Sequence, residues 1–561
     1  MRMKAVFSIL AASSITLALC GCSGVPVNDN LVVKEIALGA DRGRDDSFDH
    51  VSPDGRHIAY VARGGHGVHV IVDGQPGPAF DTIWQDSIQF SQDGRHVAYV
   101  AGQGDKRLVV VDGRPGPAYD GIGMDGGQLD DTSRGCPAVR SDKQIVTEAG
   151  TGLLRSYPFF SLDSRRVAYI AQEAGKWFVV LDGTPGPSYD GIGERSLVCS
   201  PDSRHVAYVA IQGNKQFVVL DGKPGPVYDG IGFCAPIFSP DSRRVAWWAR
   251  RGGKWFAVVD GRPGPACDRV DEVVFSPNSR RVAYVAQRDD NEFVIADGKR
   301  IAPDGSIVGS AAVFSPDSRH LAYVQQPGAP DQPPAGLDRV VVDAKPGPAF
   351  NDAAIADPTY SSDGRHLAYF ERHGDRVRVV LDGKPGQTYD EIRLPLRSLD
   401  DRLFGLDTRF NIAPEPLFSP DGRHLAYMAR RGAKWMVVED GKPGPAYEEI
   451  GAFSPVFSPD GEHLAYVVDR GKTAFVVVDG KPGPTFHCVW TDQPVFSPDG
   501  QHIAYAASDG RGYNIVVDGR LGPAYDDFIT FAPIVFDGPT SLHTLVVRGG
   551  TVYRLEITIK K

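Results

Sequence analysis

An all-β fold, tandem β-propellers of four-stranded blades, is what this sequence predicts, and three observations carry the prediction. A unit typified by Phe457-Ser458-Pro459-Asp460-Gly461-Glu462-His463-Leu464-Ala465-Tyr466 recurs along almost the whole 561-residue chain. Its proline slot falls at Pro53, Gln92, Leu162, Pro201, Pro240, Pro277, Pro316, Ser362, Pro420, Pro459 and Pro498, mostly in steps of 39 residues. A period of that size, with several strand-like runs and turn signals in each unit, belongs to repeat architectures.

Residues 233–271 serve as a specimen unit. Ala235 to Ser239 is a short apolar run, ended by a turn at Pro240-Asp241-Ser242. Arg244 to Ala249 is a second strand, Arg251 to Lys254 a turn, and Trp255 to Val259 a third strand of residues suited to a pleated, half-buried surface. Asp260-Gly261 is a hairpin signal, because glycine readily takes the positive φ such turns need. Pro263-Gly264-Pro265 then leads a short last strand. Proline has no backbone donor, which confines that strand to a sheet edge. Ala followed by Tyr fills the second strand in every unit from Ala59-Tyr60 to Ala504-Tyr505, with Trp247 the one replacement. A small residue beside a large one suits closely stacked sheets.

Eleven such units are followed by a degenerate twelfth, Ala532 to Ile559, which supplies three strands. Its missing outer strand is expected from Leu31 to Ile36, closing the propeller across the chain ends. Twelve blades exceed the usual four to eight, so two rings are expected. Residues 31–300 would form the first, of six or seven blades, and 301–561 the second, of about six. The seam is placed near Gly298-Lys299-Arg300-Ile301-Ala302-Pro303, where the Pro-Gly-Pro pattern lapses.

The N-terminus reads as a processing segment. Arg2 and Lys4 precede an apolar run from Ala5 to Leu19, too short to span a bilayer as a folded helix. Leu19-Cys20-Gly21-Cys22 resembles the bacterial lipobox, which implies a signal peptide over 1–21, lipidation of Cys22 and a tether over 22–30. Loss of residues 1–21 would take the formal charge from −10 to −12. That balance disfavours nucleic acid, whose phosphates need a clustered positive surface. Cys136, Cys199, Cys234, Cys267 and Cys488 occupy unrelated slots and read as small buried hydrophobes.

Phe418-Ser419-Pro420-Asp421-Gly422-Arg423-His424-Leu425-Ala426-Tyr427 resembles the WD40-like (PD40) repeat of TolB-like propellers and of prolyl oligopeptidase propellers. The resemblance spans nearly all of residues 40–561 and implies the fold. It stops short of function. No segment here has room for the α/β domain that precedes the TolB propeller, and the Val-Val-Asp-Gly-Lys-Pro-Gly-Pro half of the unit departs from that family.

Chemistry is sparse. His57, His96, His205, His320, His366, His424, His463 and His502 share one slot, but Arg166, Arg244 and Arg281 fill it elsewhere, and arginine cannot replace a metal ligand. A long basic side chain covering apolar surface explains both residue types, so no metal and no cofactor are expected. No GxSxG, HExxH or phosphate-binding loop occurs, and no catalytic residue is assigned. Binding is expected on the face with the insertions 121–157, 325–338 and 391–415, read as extended fourth-to-first and second-to-third connections. Trp177, Trp255, Trp435 and Tyr513, in a slot that varies between units, are the candidate anchors there. The expected role is a non-catalytic, lipid-anchored binding scaffold of the bacterial cell envelope, at the outer membrane, engaging protein or cell-wall polymer. The alternative is a carbohydrate-active or hydrolytic propeller enzyme with a loop-built site.

Overall fold

The computed structural model describes residues 30–560 apart from 41–49, 66, 124–157, 194, 233–235, 290, 302–305, 327–337, 351–357, 394–415, 452–453, 490–493, 511 and 530–531. Cys20, Cys22, Cys136 and Cys234, the signal peptide and most of each insertion lie outside the described residues. Those described form twelve antiparallel sheets and no helix.

Blade 4 shows the unit. Its first strand is split into Gly191–Ile192 and Val198–Cys199, both paired with the second strand, Val206–Gln212. Lys215–Leu220 is the third strand and Lys223–Pro224 the short outer one. Between them Asp221 and Gly222 have φ of 49° and 74°, the double positive φ of the hairpin turn that the Asp-Gly pairs predict. The glycine of the following Pro-Gly-Pro has a separate reason. Gly225 N donates to Val218 O at 2.8 Å, and a Cβ on Gly225 would stand 3.0 Å from that oxygen.

The twelfth blade closes as expected. Leu31–Ala40 pairs antiparallel with Thr551–Ile559, from Leu31 opposite Ile559 to Ala40 opposite Thr551, and forms the outer strand of that sheet. Hydrophobic packing then runs unbroken from blade to blade. Leu38 and Leu545 of blade 12 share a cluster with Ile58 of blade 1. Every later junction is bridged in the same way, as by Ala168 with Tyr208 between blades 3 and 4, and one cluster runs through blades 4 to 7.

The partition into two rings at residue 300 is corrected by this packing. Val294 and Ile295 of blade 6 lie in one cluster with Phe314, Tyr323 and Val341 of blade 7. The lapse of Pro-Gly-Pro at Lys299–Arg300 alters only an outer strand, which still pairs with Ile295 and Ala296. Continuity is decided by the second and third strands, whose inward faces do not lapse there. The twelve blades therefore follow one another around a single ring. Sheets packed about 10 Å apart put mid-blade about 19 Å from the axis, and strands about 4.8 Å apart then leave the first strands about 12 Å from it. Seven blades would bring them within about 4 Å, so the number of blades is what opens the centre.

Candidate functional site

Both faces of the ring are held by repeated carboxylate stitches. On the face of the Ser-Pro-Asp and Asp-Gly turns, the serine hydroxyl donates to the turn aspartate, as from Ser200 Oγ to Asp202 Oδ1 at 2.6 Å. It also accepts the amide of His205 at 2.9 Å. His205 Nδ1 lies 2.7 Å from Asp221 Oδ2, while Asp221 Oδ1 accepts Val206 N at 3.0 Å. Where the slot holds arginine the pairing persists, as in Arg244 Nε to Asp260 Oδ2 at 3.0 Å. This replaces the apolar-cover reading of the slot. Histidine and arginine interchange because each puts one N–H donor on the hairpin aspartate.

The third turn residue joins neighbouring blades. Ser164, Ser203, Ser242, Ser279 and Ser318 sit at φ of 62° to 65°. In each the hydroxyl accepts the amide of residue 93, 163, 202, 241 or 278 in the preceding blade at 2.9 to 3.0 Å. Glycine holds this position in the other units. At Gly461 an added Cβ would come within 2.8 Å of Asp421 Oδ1 of the preceding blade.

On the opposite face an aspartate at the end of several outer segments reaches two ways. Asp190 accepts Lys176 Nζ of blade 3 at 2.7 Å and the amide of Gly213 in blade 4 at 2.7 Å. Asp120, Asp229 and Asp268 repeat the pattern. Their lysine partners hold these carboxyls below the usual range.

The candidate anchors do not stand on that surface. Trp177, Trp255 and Trp435 are only 7%, 8% and 4% exposed. Trp177 packs with Ile192 and Leu197 of the next blade, and Trp435 with Ile450 and Tyr466. Tyr513 is half-buried with its ring 6.0 Å from that of Phe528 in blade 12. These side chains cap neighbouring blades. Gln216 does the same job with a hydrogen bond, its Oε1 accepting Ile231 N at 2.6 Å, which is why the slot varies so freely. One unit read alone cannot show what the next blade brings to it.

Two of the three insertions attach differently from expectation, whereas 325–338 does lie between the second and third strands of blade 7, Leu321–Gln326 and Asp338–Val342. Gly121–Ile122 is already paired with Ala171 and Gln172, and Phe159–Phe160 with Val167 and Ala168. Residues 124–157 thus interrupt the first strand in mid-course. Residues 394–415 do likewise, between Glu391–Arg393 and Leu417–Phe418. First strands of neighbouring blades approach one another, and their free edge borders the centre of the ring. Standard units bridge the same gap with a few residues. In blade 4, Ser196 Oγ donates to Gly193 O at 2.7 Å and accepts Val209 N at 3.0 Å.

A cleft of about 700 Å³ opens between blades 1 and 2 on the Ser-Pro-Asp face. Its walls include His57, Asp73, Pro76-Gly77-Pro78, Arg95, His96, Tyr99 and Asp112. The Tyr99 hydroxyl is buried without a hydrogen-bond partner among the described residues, and burial pushes its pKa up to about 12. Phe80 of blade 1, 6.4 Å away edge to face, has no hydroxyl to offer it. The two His–Asp pairs of the cleft repeat the stitch of the other units, which marks them as structural. Among the described residues no three His, Cys, Asp or Glu side chains converge to hold a metal. Cys199, Cys267 and Cys488 are free thiols, that of Cys199 pushed up to about 12 by burial.

No family model matches the chain, and no curated protein matches it. Solved structures do. A crystal structure of the eukaryotic initiation factor is 11% identical over 66% of this chain and 96% of that one, with a TM-score of 0.34. TolB from Acinetobacter baumannii is 16% identical over 59% and 79%, with a TM-score of 0.21. The β-propeller domain of the Trilobed protease from Pyrococcus furiosus is 12% identical over 51% and 92%, with a TM-score of 0.25. The twelve sheets arranged in a ring already place this chain among β-propeller proteins. TolB is among its structural neighbours, and the likeness is one of fold alone.

Proposed function

We propose that this protein is a non-catalytic binding scaffold of the bacterial cell envelope, held to the outer membrane by lipid on Cys22 and engaging protein or cell-wall polymer. The observation that carries the reading is the placing of sequence variation. The stitched turns hardly differ from blade to blade, whereas the chain departs from the repeat at Gly123 and Arg393, where the first strand segments Gly121–Ile122 and Glu391–Arg393 end near the centre of the ring. Recognition needs such differences, and a nearly uniform rim offers few. The anchor rests on Leu19-Cys20-Gly21-Cys22, and membership of the PD40 repeat family on the Ser-Pro-Asp-Gly units.

Two measurements test the proposal. A palmitate analogue should label the protein and fail to label Cys22→Ser. Replacing 124–157 and 394–415 by connections of standard length should leave thermal stability almost unchanged, since closure entropy varies slowly with loop length. The same change should abolish crosslinking to the envelope partner in intact cells. Glycan hydrolysis by the pure protein, with no crosslinked partner, would replace the scaffold by an enzyme.

A further inference from the structure

The two faces of the ring differ in how their cations are held. On the face bearing the lysines of the second-to-third turns, Lys106, Lys176, Lys215 and Lys254 each pair with an aspartate of the following segment. On the Ser-Pro-Asp face the residue after the turn Gly or Ser is arginine in nine of eleven units, from Arg56 to Arg423. These side chains protrude. Arg319, Arg365 and Arg423 are 81%, 81% and 74% exposed although each Nε lies 3.7, 3.7 and 3.4 Å from Asp317, Asp363 and Asp421, whose side chains are only 36%, 26% and 23% exposed. Those carboxylates are already engaged. Asp363, for example, accepts the Ser361 hydroxyl at 2.6 Å and the Arg365 amide at 3.0 Å. A second row of exposed cations, including Lys223, Arg262, Lys345, Lys384, Lys442 and Lys481, opens the outer strands on the same face and forms no ion pair among the described residues.

The chain enters the ring on this face. Leu31 pairs with Ile559, whose amide donates to Thr540 O in the turn between the first two strands of blade 12, and Lys560 N donates to Asn30 O. The segment from Cys22 to Leu31 extends at most about 30 Å, less than the ring's own width. A lipid on Cys22 therefore keeps the Ser-Pro-Asp face close to the bilayer.

We infer that the ring lies with its Ser-Pro-Asp face on the membrane, the protruding arginines and lysines meeting anionic phospholipid headgroups, and the opposite face turned away. The inference rests on the anchor proposed above. An arc of headgroup contacts would hold the ring flat, and attraction of basic side chains to anionic lipid dies away within a Debye length of the surface. A protruding guanidinium reaches that layer where a recessed carboxylate does not.

The test is amine footprinting of the lipidated full-length protein in two kinds of vesicle, phosphatidylglycerol with phosphatidylethanolamine and phosphatidylcholine alone. Lys345, Lys384, Lys442 and Lys481 should react several-fold more slowly in the anionic vesicles than in the neutral ones, while Lys106, Lys176 and Lys215 are unchanged. Combined Arg319→Gln, Arg365→Gln and Arg423→Gln should weaken sedimentation of the Cys22→Ser protein with the anionic vesicles by up to about fivefold per arginine. Equal protection in neutral vesicles refutes the contact with anionic headgroups, and protection of the Lys106 set instead overturns the orientation. Absence of palmitate label refutes the anchor alone. Sedimentation of the unlipidated protein then still decides whether this face meets anionic lipid, and vesicle binding indifferent to the arginines refutes that too.

Discussion

The hairpin aspartate of blades 1 to 11 does three jobs, and substitution at Asp221 should separate them. Its backbone sits at φ 49°, a region that costs most side chains roughly 1–2 kcal/mol and that Asp and Asn tolerate best. Its Oδ1 accepts the half-buried amide of Val206 at 3.0 Å, a bond contributing about 1 kcal/mol. Its Oδ2 meets His205 at 2.7 Å, with side chains 42% and 43% exposed, where an ion pair contributes at most about 1 kcal/mol. Asp221→Asn retains the φ tolerance and one acceptor, and should cost about 0.5–1 kcal/mol. Asp221→Gly keeps the conformation, loses both partners and adds freedom to the unfolded chain, for about 2–3 kcal/mol. Asp221→Ala loses the partners and adds the φ strain, for about 3 kcal/mol. Thermal melting of a ring this size will not be two-state, so the proper readout is native-state hydrogen exchange of peptides from blade 4, with a distant blade as internal control. The order Asn, then Gly, then Ala is the expectation. If Asn costs as much as Ala, the charge of the pair dominates and the conformational reasoning is wrong.

Three further outcomes are expected. Ala344 occupies the glycine position of the blade 7 hairpin at φ 62°, so Ala344→Gly should stabilise that blade by about 1 kcal/mol, read by hydrogen exchange. Acid should loosen the Ser-Pro-Asp face. The serine hydroxyls hold Asp93, Asp163, Asp363 and Asp460 below their ordinary 3.8, so their contribution is full above that value and fades as pH falls through the lowered ones. His57 and His424 act in the opposite sense. The hydrogen bonds to Asp73 and Asp440 raise them above 6.5, so their contribution is complete below 6.5 and is lost as pH rises through the raised values. Melting against pH should therefore show a maximum between these two windows. Deleting Leu31–Ala40 should strip the outer strand from blade 12 and expose Val552 and Leu545, seen as rapid exchange there and in blade 1 while blade 6 is unaffected.

The blade itself was legible in the sequence because its causes are local. Asp-Gly pairs specify the hairpin, Pro-Gly-Pro an edge strand, and alternating apolar runs the two central strands. The terminal strand was legible for the same reason, since a three-stranded remnant at 532–559 needs a fourth strand and Leu31 to Ile36 has the pattern of one. What depends on the next blade was not legible. Trp177 and Gln216 look like variable surface residues until Ile192 and Ile231 arrive beside them, and the basic slot looks like cover until the hairpin folds its aspartate back to it. The number of rings was hidden too, because it depends on the angle at which one sheet packs on another. That angle is the sum of many side-chain contacts across each junction, and no single residue near 300 reports it. The points at which two of the insertions leave their blades were hidden for a related reason. Sequence marks where a repeat is broken, but only the pairing of Gly121 and Phe159 with the same second strand shows that the break falls within a strand rather than between two.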